Sequence, residues 1–306
     1  MRVGPLICLA GILGLAAPAA AADCPGHPDA LGTSRTLVVD PTEHPRIGSM
    51  QYHDTLPLED HEVVLTFDDG PLPPYANRVL QTLASQCVKA TYFIIGQQAR
   101  EHPEIVREIH AAGHTIGTHS QNHPLRFERM PIEKVKAEVE DGIASVTAAL
   151  GDPSEVAPFF RIPGLLRAEG VETYLASKSL MTWSADLVAD DWRHLSASEV
   201  LHRALTRLEA RGKGVLLLHD IQPSTALMLP KLLRELKRRG YRIVQVVPAS
   251  ASQPKTPTTA DQWLSDPRRP AARLAPGTTT APAAQTVGAP ASGAVAPPDA
   301  AAPVNH

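Results

Sequence analysis

Val63-Val64-Leu65-Thr66-Phe67 runs directly into Asp68-Asp69-Gly70-Pro71. The first five residues are β-branched or large and carry no charge, as a strand buried on both faces requires. Two acids, a glycine and a proline then stop the strand and turn the chain. Working outward, the same alternation recurs. Asn77 to Gln86 has helical apolar spacing through Val79, Leu80 and Leu83, and Ala90 to Ile95 is a second strand. Gln97 to Ala112 reads as one helix with Ile105, Val106 and Ile109 on a stripe, followed by a short strand at Thr115 to Gly117. A long amphipathic helix spans Ile132 to Leu150, and Phe159 to Arg161 is a fourth strand. Val171 to Lys178 is helical and Leu180 to Trp183 a fifth strand. The helix Ser196 to Arg211 has Ser196 as its cap and Glu199 three residues on. Val215 to Leu218, the helix Thr225 to Arg239 and the strand Arg242 to Val247 complete the series. Strand–helix alternation predicts an α/β fold with about seven mostly parallel strands. Periodicity alone does not choose between a doubly wound sheet and a barrel, but in either the chemistry gathers at the C-terminal strand ends.

The 306 residues accommodate one domain of about 200 residues with flanks. We place it at 60–248, after an N-terminal extension at 23–59. From 249 to 306 the chain turns to Ala, Pro, Thr and Ser and is predicted to be a disordered tail. A chain ending near Ser252 is therefore expected to fold and keep its turnover. A net charge of −3 gives no reason to invoke nucleic acid.

Met1-Arg2, an apolar run from Leu6 to Leu15 and Ala20-Ala21-Ala22 before Asp23 form a secretory signal over 1–22. The apolar run is too short to span a bilayer, so no stable membrane insertion is expected after cleavage. The mature chain is expected to be secreted or periplasmic. Of the three cysteines, Cys8 leaves with the signal. Cys24 and Cys87 then form either a disulfide or two separate thiols.

Polar clusters follow the strands in register: Asp68-Asp69, His119 to His123, Arg161 with Pro163-Gly164, Asp186 to Trp192, and His219-Asp220. Five clusters at the same end of successive strands are hard to explain by packing alone. His119 and His123 are four apart, a spacing that puts both rings on one face of a helical turn. Two imidazoles and a carboxylate form a metal site with an open position. Adjacent carboxylates repel and favour a nearby cation. His102, His110, His194 and His202 lack matching partners, and His114 reads as a capping or surface residue.

Thr66-Phe67-Asp68-Asp69-Gly70, His119-Ser120-x-x-His123 and Leu216-x-Leu218-His219 resemble the polysaccharide deacetylases of carbohydrate esterase family 4, the NodB-like domain. The resemblance implies a distorted (β/α) barrel in a single catalytic domain and a divalent metal, usually zinc, with cobalt or another ion as alternatives. It also implies removal of N-acetyl groups from an N-acetylglucosamine polymer, chitin-like or peptidoglycan. Carried over by position, Asp69, His119 and His123 are the metal ligands, Asp68 the general base and His219 the general acid. Arg161 orients the base, and Leu218 lines the acetyl-methyl pocket. A backbone N–H, that of Gly164, is expected to help stabilise the oxyanion.

Two departures bear on substrate choice. The family's third motif, Arg-Pro-Pro-aromatic-Gly, is Arg161-Ile162-Pro163-Gly164-Leu165 here, without the aromatic wall. The fourth, D-x-x-D-W, is stretched between Asp186 and Asp191-Trp192, with Trp192 at the substrate side. Asp191 is taken as the partner of Arg161, with Asp190 and Asp186 as alternatives. The competing functions are a non-catalytic glycan-binding module on the same fold and a deacetylase of O-acetylated xylan. A metallopeptidase is disfavoured because no H-E-x-x-H occurs.

Overall fold

The computed structural model describes residues 24–265. The predicted signal and residues 266–306 of the predicted tail lie outside them. In chain order the elements are β1 (Thr33–Val39), β2 (Arg46–Ile47), β3 (Glu62–Asp68), α1 (Tyr75–Ser85), β4 (Thr91–Ile94), α2 (Gly96–Glu101), α3 (Pro103–Ala111) and β5 (Thr115–Thr118). They continue with α4 (Ile132–Leu150), β6 (Phe159–Phe160), α5 (Glu169–Ser177), β7 (Met181–Trp183), β8 (Leu187–Val188), α6 (Ala197–Arg211), β9 (Gly214–His219), α7 (Pro223–Arg238) and β10 (Arg242–Pro248).

The result is an α/β fold around one ten-stranded sheet in which every ladder is parallel. β3 is its centre. β9 pairs with it from Val63 to Asp68, while its other side is shared by β10 at the start and β4 at the end. From β4 the sheet continues through β5, β6 and β7 to β2, and beyond β9 lies β8. No ladder joins β2 to β8. The short segment between β7 and β8 spans that gap: Ser184 N–H donates to Ile47 O and Asp186 N–H to Val215 O. The expected α/β architecture with parallel strands is present, and the strands missed by the sequence reading are β1, β2 and β8.

The two-residue pleat sorts the core. Leu65 and Phe67 of β3, with Leu216 and Leu218 of β9, face the helices and pack with Leu80, Leu205 and Leu232. Val64 and Val215 point the other way, against Phe93, Phe159 and Trp183. Leu218 is thus committed to the helix layer. The expected placing of Leu218 at a substrate pocket does not agree with this, and its neighbour Leu217 instead belongs to the small cluster against which Trp192 packs.

Local differences have local causes. The single helix expected over Gln97 to Ala112 is two helices, because Pro103 has no N–H to continue α2 and instead opens α3. Ser196 does cap α6, accepting the Glu199 N–H at 3.3 Å. His114 is not a surface cap: it is buried, accepts the Ala90 N–H on Nδ1 at 3.1 Å and leans on Tyr92.

Residues 24–59 and 249–265 belong to the folded unit. β1 pairs with β10, β2 pairs with β7, and Cys24 is disulfide-bonded to Cys87. After β10 the chain doubles back, with Thr256 bonded to Val38 and Thr55 N–H donating to Trp263 O. The Trp263 ring is buried and stacked on His44, centroids 3.7 Å apart. The boundary at 248 therefore differs from the structure, and a chain ending near Ser252 loses a core aromatic. Trp263→Ala should lower stability by about 3 kcal/mol, the scale of emptying a buried indole site. Urea unfolding checks this, and an unchanged midpoint would show that the strap is passive.

Candidate active site

The strand ends converge on one cluster. Asp68 is the last residue of β3 and lies in register with His219, the last of β9. The chain then turns through Asp69, whose φ of 74° swings its carboxylate toward the loop after β5. That loop carries His119 and His123. It is not helical, as the spacing suggested. Ser120 and His123 have φ of 65° and 51°, and the Ser120 hydroxyl accepts the His123 N–H at 3.0 Å. This bend, rather than a helical turn, brings the rings to 4.9 Å between centroids.

Asp69, His119 and His123 offer ligand atoms that all lie within 4.8 Å of one another. His119 Nδ1 is 2.6 Å from the Arg161 carbonyl oxygen, which can only accept, so Nδ1 carries the proton. Nε2 therefore presents a lone pair to Asp69 Oδ1 at 3.4 Å. Burial pushes His119 down to about 3, so the ring is neutral. His123 Nε2 lies 3.5 Å from the same oxygen, which is buried and has no hydrogen-bond partner among the described residues. An acceptor lone pair facing an orphaned carboxylate oxygen is unfavourable unless a cation lies between them. These residues fit a divalent ion, and the backbone bond on His119 is the outer support that such ligands use.

On one side of this cluster sits Asp68, bonded through Oδ1 to Arg161 Nη1 at 2.5 Å. Arg161 is completely buried. It also donates to Thr66 Oγ1 and the Ser184 carbonyl, and stacks on Phe93 at 4.2 Å. Burial raises the Asp68 carboxyl above the ordinary carboxylate range, with Arg161 and His219 pulling against it. The expected Arg161–Asp191 pair is not formed, because Arg161 reaches Asp68 directly.

Asp191 instead serves His219 on the other side. Its Oδ1 is 2.9 Å from His219 Nδ1, and its Oδ2 accepts the His219 N–H and the Thr225 hydroxyl. Asp190 is held by Arg203 and Arg207. Asp186 binds Thr55, Ser49 and the Val215 N–H. The left-handed Asp190, φ 55°, separates these three tasks within six residues. Burial would depress His219, but Asp191, followed by Asp69 and Asp68, raises it to about 10. Its Nε2 stands 3.8 Å from Asp69 Oδ2, and Trp192 packs against the ring edge-on. Gly164 lies exposed in the turn Pro163–Leu165 that follows Arg161. Sequence reasoning missed Thr225 and Leu217. Nothing marks Thr225 in the sequence, whereas the pleat of β9 marks Leu217.

An arginine-held carboxylate and an aspartate-held imidazole flank an Asp–His–His cluster, an arrangement suited to metal-assisted hydrolysis. The family model for polysaccharide deacetylases matches residues 56–182. Two peptidoglycan-N-acetylglucosamine deacetylases of Bacillus cereus are 31% and 30% identical to the chain. Their alignments cover 58% and 62% of this chain and 66% and 89% of theirs, so the chain spans just under two thirds of the first. The solved Bdellovibrio bacteriovorus peptidoglycan deacetylase is 33% identical with a TM-score of 0.63, covering 71% of this chain and 60% of its own. The chain belongs to the polysaccharide deacetylases of carbohydrate esterase family 4.

The Asp191 contact sets a measurable pKa. Removing its charge with Asp191→Asn should bring His219 down from about 10 toward the ordinary histidine value of about 6.5. NMR titration of the imidazole reads the shift directly, and an unmoved His219 pKa would disprove the pairing.

Proposed function

We propose that the protein is an exported, metal-dependent N-deacetylase of an N-acetylglucosamine-containing polysaccharide, with peptidoglycan the first candidate and chitin-like oligomers the second. The observation that carries this reading is the opposed pair Asp68–Arg161 and His219–Asp191 across the Asp69–His119–His123 cluster. Family membership and the peptidoglycan relatives supply the substrate class.

Asp69, His119 and His123 would hold a divalent ion, zinc or a similar one, which would supply Lewis-acid polarisation of the acetamide carbonyl and of water. Asp68 accepts the water's proton. Arg161 occupies its Oδ1, which leaves Oδ2, 4.0 Å from His119 Nε2, turned toward the cluster. Burial makes this carboxylate more basic than a surface aspartate. His219, kept as an imidazolium by Asp191, donates its Nε2 proton to the departing amine. Trp192 and Leu217 form the apolar face beside that imidazole, where the acetyl methyl is placed. The Gly164 N–H serves as a backbone donor to the oxyanion.

Export is supported by the N-terminal signal pattern and by the Cys24–Cys87 disulfide, which persists in oxidising compartments. Among the described residues no helix is long and apolar enough to cross a membrane. Mature, non-reduced protein should show no reactive thiol after unfolding. Two thiols by colorimetric counting would argue against this compartment.

Acetate release and metal content, measured together across a metal titration, test the chemistry. Asp68→Asn should bind metal and lose roughly 100-fold or more in turnover, the scale of a lost general base. Asp69→Asn should bind metal weakly and recover in part as metal is added. Rescue of Asp68→Asn instead would reverse the two roles. The absence of acetate from peptidoglycan and chitin oligomers alike would overturn the function.

A further inference from the structure

The segment between β2 and Leu56 has no counterpart in the motifs read from the sequence, yet it lies on the catalytic face. β2 runs parallel to β7, so the chain leaving Ile47 emerges at the same edge of the sheet as Ser184 and the acids that follow it. Asp186 fastens the segment at both ends. It accepts the Ser49 N–H at 2.9 Å and the Thr55 hydroxyl at 2.8 Å. Gly48 lies so close to Ser184 and Ala185 that a Cβ there would approach within 2.6 Å of backbone, which holds the start of the loop flat against the strand end.

Between these anchors, Gln51 faces two parts of the site at once. Its Oε1 accepts the Ser184 hydroxyl at 2.8 Å, and Ser184 O in turn accepts from Arg161 Nη2. Its Nε2 donates to Leu165 O at 2.6 Å, in the turn that carries Gly164. Arg167 closes the far side of that turn. It donates to Gln51 O at 2.8 Å, lies over the Tyr52 ring at 4.6 Å and pairs with the buried Glu172, which also accepts the Tyr52 hydroxyl. The turn itself needs such support. Gly164 and Leu165 both have positive φ, 62° and 56°, a conformation that a leucine does not adopt unaided. The third-motif aromatic that would give the turn bulk is glycine in this chain.

We propose that Gln51 is a positioning residue for hydrolysis, fixing the Gly164 turn relative to the Arg161–Asp68 pair, and that the Ser49–Tyr52 loop is a wall of the substrate cleft. The wall presents Met50 next to Leu165 and Trp192, all packed on one apolar cluster. Gln51 acts through the turn and touches no reacting atom. The catalytic part of this inference rests on the deacetylase reading above; the clamp itself does not.

Gln51→Ala removes both hydrogen bonds. Gln51→Glu retains the acceptor for Ser184 and loses the donor to Leu165, setting a carboxylate against that carbonyl. In the substrate-free protein, amide hydrogen exchange at Leu165 and Leu166, whose N–H groups donate to Ile162 O and Pro163 O, should quicken about 10-fold in both variants as the local opening becomes easier. With a chitin or peptidoglycan oligomer, kcat should fall roughly 10-fold with KM and metal content unchanged, as expected for a displaced oxyanion donor rather than a lost binding contact. Exchange at the turn equal to wild type in both variants overturns the clamp. Faster exchange with unchanged kcat overturns the catalytic role and leaves only a structural tie. If the wild-type protein releases no acetate at all, the functional reading fails, while the exchange measurement still decides the clamp.

Discussion

A guanidinium with no exposed surface is the constraint around which this site is organised. Arg161 is fully desolvated, a state that is tolerated only when every donor finds an acceptor and the charge finds its opposite. Its acceptors come from β3, the end of β7 and the residue after it: Thr66 and Asp68, the Trp183 carbonyl and the Ser184 carbonyl. Its own carbonyl accepts from His119. The ends of β3, β5 and β7 are thereby registered on one residue, which itself follows β6. Breaking such a pair costs about 3–5 kcal/mol, because the orphaned charge stays buried. The same constraint that tightens the fold holds Asp68 by one carboxylate oxygen and sets the tautomer of His119.

The opposite half of the site is arranged by hydrogen bonding to a second buried acid. Asp191 is 0% exposed and spends both oxygens on His219 and Thr225, so the imidazole has one orientation and one free nitrogen. Asp68 and His219 are thus tuned in opposite ways. Burial dominates at Asp68 and favours accepting a proton, while neighbouring carboxylates dominate at His219 and favour holding one.

How far this was legible in the sequence depends on the range of the interaction. Asp69, His119 and His123 stand in short motifs, and the structure gathers them into one cluster because each motif follows a strand. The α/β alternation was legible for the same reason, since apolar periodicity is a local signal. The partner of Arg161 was not. Asp186, Asp190 and Asp191 are alike in composition, and only the left-handed turn at Asp190 and the approach of Thr225 from α7 distinguish them. β1 and β2 escaped notice because they lie among turn residues and are stabilised by strands far along the chain. Leu218 was misassigned through one step of the pleat, which places it under the helices. Trp263 stood in a region whose composition suggested no core, yet one indole with a stacking partner suffices to fasten it.

The pairing of β1 with β10 also governs when the molecule becomes whole. Ser34 donates its hydroxyl to Ile243 O, a separation of 209 residues, and β10 is the sole ladder partner of β1 among the described strands. A chain emerging N-terminus first therefore carries β1 unpaired until β10 has been made, more than 200 residues later. The segment that walls the cleft stays untethered for almost as long, since β7, Asp186 and Trp263 all arrive late. Contacts of such long range fold slowly. The competent cleft is consequently a property of the finished chain, and a nascent one carries its catalytic motifs before it has the frame to use them.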